Sequence, residues 1–349
     1  LISSFLVPLL AVAVVLLFAG GVFAAWQGRR IEDRHPPRGE RLFFAGRVVH
    51  ARDVGPQDAP PERTLVLIHG ASGSLEDLML AFEAALGDRY RIIGVDRPGH
   101  GWSSRLTLFG DARLAKQAEA VAGVLKLKGV DRAVVVGHSF GCAVALRVAL
   151  DHPARVAGIA TLAPVSHPWP GGVEWYYHLA ATPVLGALFS RCVAPVVGAA
   201  VFETAVAGVF RPDAPPHAYA ERTGARLALR PRTFRANAVD VAMLKPQILE
   251  QAARYSAIAA PALVVSGDAD TVVWPSIHAE GLARDLPDVE ILRLPGVGHA
   301  PHHARPAETH AALERLSDRV AARLLQHGNI PAQAAPSGER ADAVALASS

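Results

Sequence analysis

Apolar positions gather in one long block at the front of the chain and in short runs after it. From Phe5 to Trp26 the stretch FLVPLLAVAVVLLFAGGVFAAW carries no charge and then meets QGRR. At about 1.5 Å per residue, a helix of that length crosses a hydrocarbon layer of roughly 30 Å. The pattern predicts a transmembrane anchor or signal sequence over residues 1–28. Small residues ending at Ala24 fit a cleavage site, whereas the length of the apolar run and the lack of a basic segment before it favour an uncleaved anchor. Arg29 and Arg30 on the downstream flank favour a single-pass protein with its catalytic domain in the cytoplasm. Cleavage would instead give a secreted or periplasmic protein.

Residues 29–40, within the stretch QGRRIEDRHPPRGE (27–40), read as a polar, Pro-rich linker. RLFFAGRVVHARDVG then predicts two strands joined by a turn at Ala45-Gly46. Four later runs share one design, an apolar stretch that ends in glycine or a carboxylate: TLVLIHG, RIIGVDRPGHG, RAVVVGHSFG and PALVVSGDAD. Near-continuous apolar strands of this kind belong in parallel sheets covered on both faces. Helical patterns at 75–87, 111–128 and 141–151 lie between them, VEILRLPG supplies a last strand, and 306–325 is an amphipathic helix opened by proline. Alternating strands and helices predict an α/β doubly wound fold. Its core falls in two parts, 41–165 and 256–325, around a Pro-punctuated, apolar, helical stretch at 166–255. That insertion reads as a cap or lid, with a second membrane span as the rival. The tail 326–349 is small and polar and is expected to be disordered.

The 35 Lys+Arg against 32 Asp+Glu leave a formal charge of only +3, and the arginines are scattered, so no nucleic-acid footprint appears. Cys142 and Cys192 form no disulfide framework and no metal-ligand spacing, and both read as structural thiols. No metal is expected, and oligomeric state is left open.

Candidate chemistry centres on GHSFG, residues 137–141, between a β-branched run and a helix-forming one. In G-x-S-x-G the serine sits on a strained strand-to-helix turn, and Gly137 and Gly141 leave room for it. Ser139 is the candidate nucleophile. A serine hydroxyl needs a base and a group that orients the base. Asp270, at the exit of the next-to-last strand, and His299, just past the last strand, follow in the order serine, acid, histidine. Asp268 is a rival acid, better read as a turn former; His302 and His303 are rival bases, and Gly296 and Gly298 single out His299. The N–H groups of Phe140 and of Ala71, with Ser72 as the alternative, are candidate oxyanion donors. His138 and His100 are expected to line or brace the site. Arg230, Arg232, Arg235 and Asn237 form a polar set that reads as a solvated helix face or as an anion contact from the lid.

Jointly, LIHGASGS, DRPGHGWSS, GHSFG, SGDADTVVWP and GVGHAPHH resemble the α/β-hydrolase superfamily over roughly residues 41–325. The resemblance implies a mostly parallel eight-stranded sheet, a helical cap after the sixth strand, and no cofactor. It also assigns Ser139, Asp270 and His299 as nucleophile, acid and base, and Ala71 and Phe140 as oxyanion positions. Members that carry aspartate at the elbow hydrolyse haloalkanes or epoxides; Ser139 argues against those reactions. The expected function is a membrane-anchored serine hydrolase acting on an ester or related acyl bond of a hydrophobic small molecule. Carbon–carbon or amide hydrolysis and cofactor-free peroxidation use the same residues, and a non-catalytic binding module is the alternative from another class.

Overall fold

The computed structural model describes residues 2–328. Its centre is an eight-stranded sheet, among the described residues, in the order β1-β2-β4-β3-β5-β6-β7-β8. Strands β1 (Glu40–Phe44) and β2 (Arg47–Val54) form the predicted hairpin. Its turn is made by Ala45 (φ 49°) and Gly46 (φ 79°), two left-handed residues that match the twist of the flanking strands. The pairings of β1 with β2 and β2 with β4 are antiparallel, so the sheet is mixed. From β4 (Arg91–Val95) through β3 (Thr64–Ile68), β5 (Ala133–His138), β6 (Val156–Leu162), β7 (Ala262–Gly267) and β8 (Val289–Leu294) every pairing is parallel.

Every residue of β3–β7 is buried, as their apolar composition requires. One apolar layer lies against α2 (Leu75–Leu86) and α13 (Pro306–Gly328), through Leu78, Phe82, Leu313 and Leu316. The other lies against α3 (Leu114–Leu127), α4 (Phe140–Asp151) and α11 (Pro275–Asp285), through Val124, Leu146 and Leu282. Two covered faces leave the carboxyl rim of the parallel strands as the open edge of the core, where such sheets gather ligands.

Between β6 and β7 the chain forms helices α5 (Trp175–Ala181), α6 (Val184–Cys192), α7 (Ala194–Phe210), α8 (Tyr219–Thr223), α9 (Pro231–Ala242) and α10 (Leu244–Ala252). α6 and α7 bend by 57° at their junction. Pro195 stands at the start of α7, where its missing N–H costs nothing.

Three boundaries differ from the sequence reading. The first helix, α1, runs from Ile2 to Arg34, so the first half of the expected linker at 29–40 is helical; Gly28 does not stop it because the polar residues after it are good helix formers. The helix expected at 111–128 starts at Leu114, because Asp111 accepts the N–H groups of Leu106 and Thr107 and holds a turn there. The tail expected from 326 begins later, since α13 continues to Gly328; the remainder of that expectation, 329–349, lies outside the described residues.

Helix α1 is apolar and long enough to cross a membrane, and most of it is exposed. Its buried points are small. Gly20 lies against the Cys192 carbonyl, Gly21 against Cys192 Sγ, and Ala24 is buried one turn on. Small residues one turn apart let helix backbones approach closely. At its polar end Glu32 pairs with Arg230 (3.1 Å) and Arg232 (2.6 Å) of the cap.

Candidate active site

Ser139 stands between the last residue of β5 and the first of α4 with φ 51° and ψ −118°. A non-glycine residue there stores strain of about 1–3 kcal/mol, so the surroundings must enforce it. They do so by close packing. A Cβ on Gly137 would meet the backbone of Gly141 and Cys142, and one on Gly141 would meet the carbonyls of Ile68 and His69. The Ser139 N–H donates to the Leu162 carbonyl (2.9 Å), which ties the turn to β6. Cys142 is buried one turn into α4 with its Sγ against the Gly137 carbonyl; burial pushes its thiol pKa up, which makes it an inert packing group.

The other two candidates arrive from the loops after β7 and β8. His299 Nε2 lies 2.9 Å from Ser139 Oγ, and its Nδ1 lies 2.8 Å from Asp270 Oδ2. The second oxygen of Asp270 accepts the N–H groups of Val272 (2.8 Å) and Val273 (2.9 Å), so the carboxylate is held on both sides. Ser139, His299 and Asp270 are only 7, 4 and 5 % exposed. Burial lowers the pKa of His299 from its ordinary value, while the hydrogen bond and charge of Asp270 act in the opposite direction. The net direction leaves a neutral imidazole at neutral pH, able to accept a proton on Nε2. Asp268 takes the role of turn former, its Oδ1 accepting the Gly296 N–H at 2.7 Å.

The loop after β3 faces the elbow, and a Cβ on Gly70 would come within 3.2 Å of Ser139 Cβ. The Ser72 N–H is already used, donating to Asn237 Oδ1 at 2.7 Å. The N–H groups of Ala71 and Phe140 donate to no group among the described residues. Ala71 rather than Ser72 therefore keeps a donor available on this loop. His100 sits buried behind it, near Asn237 and Arg97, and His138 places its ring beside that of His299 (centroids 5.1 Å). His138 Nε2 donates to the His299 carbonyl (3.0 Å). His138 thus lies beside His299, and His100 lies behind the loop after β3.

The lid arginines are engaged elsewhere. Arg230 and Arg232 pair with Glu32, and Arg235 donates to the carbonyls of Ala180, Thr182 and Pro183. Asn237 belongs to the loop support just described.

Two supporting residues escaped the sequence reading. Arg97 is fully buried, pairs with Asp240 (2.9 Å), donates to the carbonyls of His69 (3.2 Å) and Gly70 (3.1 Å), and places its guanidinium 4.2 Å from the Phe140 ring. It thereby holds both segments that carry the candidate donors. Burial pushes the pKa of His69 down to about 4, which keeps it neutral, so its Nε2 accepts the Arg97 N–H while Nδ1 donates to the Gly70 carbonyl. The second residue is Asp77 on α2, which faces His138, His302 and His303. DRPGHG signalled the first only as a strand-end motif. Asp77 had no local signal, because its neighbours come from other elements.

A carboxylate, an imidazole and a hydroxyl in line, with two free N–H groups nearby, can take a proton from the hydroxyl and receive a developing negative charge. Comparisons with known proteins agree with the fold. Over 119 residues the chain is 37 % identical to the dihydrolipoyllysine-residue acetyltransferase component of the acetoin cleaving system of Cupriavidus necator, spanning 34 % of this chain and only 30 % of that protein. Over 283 residues it is 29 % identical to RutD of Variovorax paradoxus, named as a carbamate hydrolase, spanning 78 % of this chain and 97 % of that one. Among solved structures, a bacterial membrane phospholipase A superposes with a TM-score of 0.65 and 25 % identity, covering 92 % of this chain and 98 % of the other. The family profile described as the alpha/beta hydrolase fold matches residues 63–306, and the chain belongs to that family.

Proposed function

We propose that the protein is a serine hydrolase that cleaves an ester or related acyl bond of a hydrophobic, lipid-like substrate. The observation that carries this reading is the unbroken run of contacts from Asp270 through His299 to Ser139 Oγ. Ser139 Oγ bonds to the acyl carbon as its proton passes to His299 Nε2, and the carbonyl π pair moves onto oxygen. The Ala71 and Phe140 N–H groups receive that oxyanion. Collapse breaks the bond to the leaving group, which takes the proton from Nε2, and water then repeats the sequence on the acyl-enzyme. Asp270 stays ionised throughout and balances the imidazolium.

The substrate class rests on three supports. The apolar helix α1 packs onto the cap, and the cap helices α6 and α7 expose Val184, Leu185 and Val197. The third support is the similarity to a membrane phospholipase A along most of both chains. In this reading α1 is an uncleaved single-pass anchor, and Arg29 and Arg30 favour the cytoplasmic side for the hydrolase domain. The similarity to RutD along nearly its whole length favours a second reading, carbamate hydrolysis at the same serine.

The test uses the full chain in lipid nanodiscs, supplied with phospholipids, long- and short-chain soluble esters, and carbamates. Expected is fatty-acid release from long acyl chains that Ser139→Ala abolishes. A clear preference for short soluble esters would overturn the lipid assignment, and carbamate turnover above ester turnover would replace it with the second reading.

A further inference from the structure

We propose that Asp77, His302 and His303 form a divalent-metal site of the zinc type beside the candidate active site. This assignment stands on geometry independent of the hydrolase reading. It departs from the expectation that the chain holds no metal.

Asp77 comes from α2, which follows β3, and the two histidines come from α12 (Pro301–Ala304), just after His299. His303 Nε2 lies 2.9 Å from Asp77 Oδ1, and His302 Nε2 lies 3.7 Å from Asp77 Oδ2. The three ligand atoms lie within 4.8 Å of one another. Zinc bonds of about 2.0–2.1 Å in tetrahedral geometry separate ligand atoms by roughly 3.3 Å, so both Asp77–His separations need change by only a few tenths of an ångström, while the two histidines, within 4.8 Å of each other, would draw together around the ion. Two imidazoles and one carboxylate suit zinc and its first-row neighbours, with a fourth position for solvent.

The independent observation is unmet polar demand. His302 is 1 % exposed, and neither of its ring nitrogens has a hydrogen-bond partner among the described residues. A buried polar atom left unpaired is destabilising, because it has lost its water and gained no partner. His138 adds to the demand. Its Nδ1, 3.6 Å from Asp77 Oδ2, also has no hydrogen-bond partner among the described residues. A cation held by Asp77 and His302 Nε2 would give that buried ring nitrogen the partner it lacks. Tyr219, whose hydroxyl donates to Asp77 Oδ1 at 2.8 Å, orients the carboxylate as partners of metal ligands do elsewhere. Bound metal would clamp α2 to the segment that follows His299 and so steady the loop carrying the base.

The test uses full-length protein made without a histidine tag and purified without chelator, with its metal content measured by mass spectrometry. Expected is about one zinc per chain. Stripped protein should gain roughly 5 °C in Tm when zinc is returned, and cobalt should give a visible d–d band. The variant His302→Ala/His303→Ala should lose all three responses. His303→Gln, at the less buried position, is the second variant should the first fail to fold, and it should weaken zinc binding at least tenfold. Wild-type protein with negligible metal, no zinc-dependent Tm and no cobalt band would overturn the site. A response that persists unchanged in His303→Gln would do the same. Labelling of Ser139 is read separately, so either reading can fail alone.

Discussion

Two buried carboxylates near Ser139 face histidines, and they are finished differently. Asp270 spends one oxygen on His299 and the other on two backbone N–H groups, and both nitrogens of His299 are engaged. Asp77 receives Tyr219 and His303 on one oxygen, while the other faces nitrogens of His138 and His302 at 3.6 and 3.7 Å, beyond hydrogen-bond reach. The first cluster is complete, and in the proposed mechanism it moves one proton. The second leaves His138 Nδ1 and both ring nitrogens of His302 without a hydrogen-bond partner. In a low-dielectric interior a closed polar network rigidifies, and an open one marks a missing partner. In the two proposals made above, the same residue types serve chemistry in one place and ligand capture in the other.

The comparison can be broken by substitution. Ser139→Ala should lower kcat for acyl hydrolysis by about 10⁶ and leave the fold intact by circular dichroism. Asp270→Asn should cost about 10³–10⁴ in kcat, because His299 loses the partner that fixes its tautomer. Arg97→Met should lower unfolding free energy by about 3–5 kcal/mol in urea titration, since it leaves the buried Asp240 with Arg105 alone. Asp77→Asn should lower kcat only about tenfold, acting through the loop that carries His299. A loss equal to that of Asp270→Asn would erase the distinction between the clusters.

The mildest probe is pH. His299 faces Asp270, His138, Asp77 and His278, and burial outweighs the carboxylates in setting its pKa. A base with a lowered pKa stays neutral further into acid. The acid limb of kcat/KM should therefore have its midpoint below the ordinary 6.5 of histidine, and a midpoint above 6.5 would contradict the burial argument.

Much of this was legible in the sequence because each signal was local. Four apolar runs ending in glycine or a carboxylate announced four of the six parallel strands, and GHSFG, SGDAD and GVGH marked their rims. Ala45-Gly46 announced the hairpin through its turn chemistry. The second cluster was illegible because its members are split between two elements far apart in the chain. Asp77 reads as an ordinary first-turn helix acid, and His302 and His303 read as rivals to His299. Only the packing of α2 against α12 makes them a set. Arg97 was hidden for a related reason: its partner Asp240 lies far along the chain in the cap. The end of α1 was misplaced because polar residues continue a helix as readily as they make a linker.

The most direct measurement is the mass and site of the adduct formed with a fluorophosphonate probe. The account predicts a single adduct on Ser139, absent in Ser139→Ala and strongly slowed in His299→Ala. Folded wild-type protein that forms no adduct, or forms one at another residue, would contradict it.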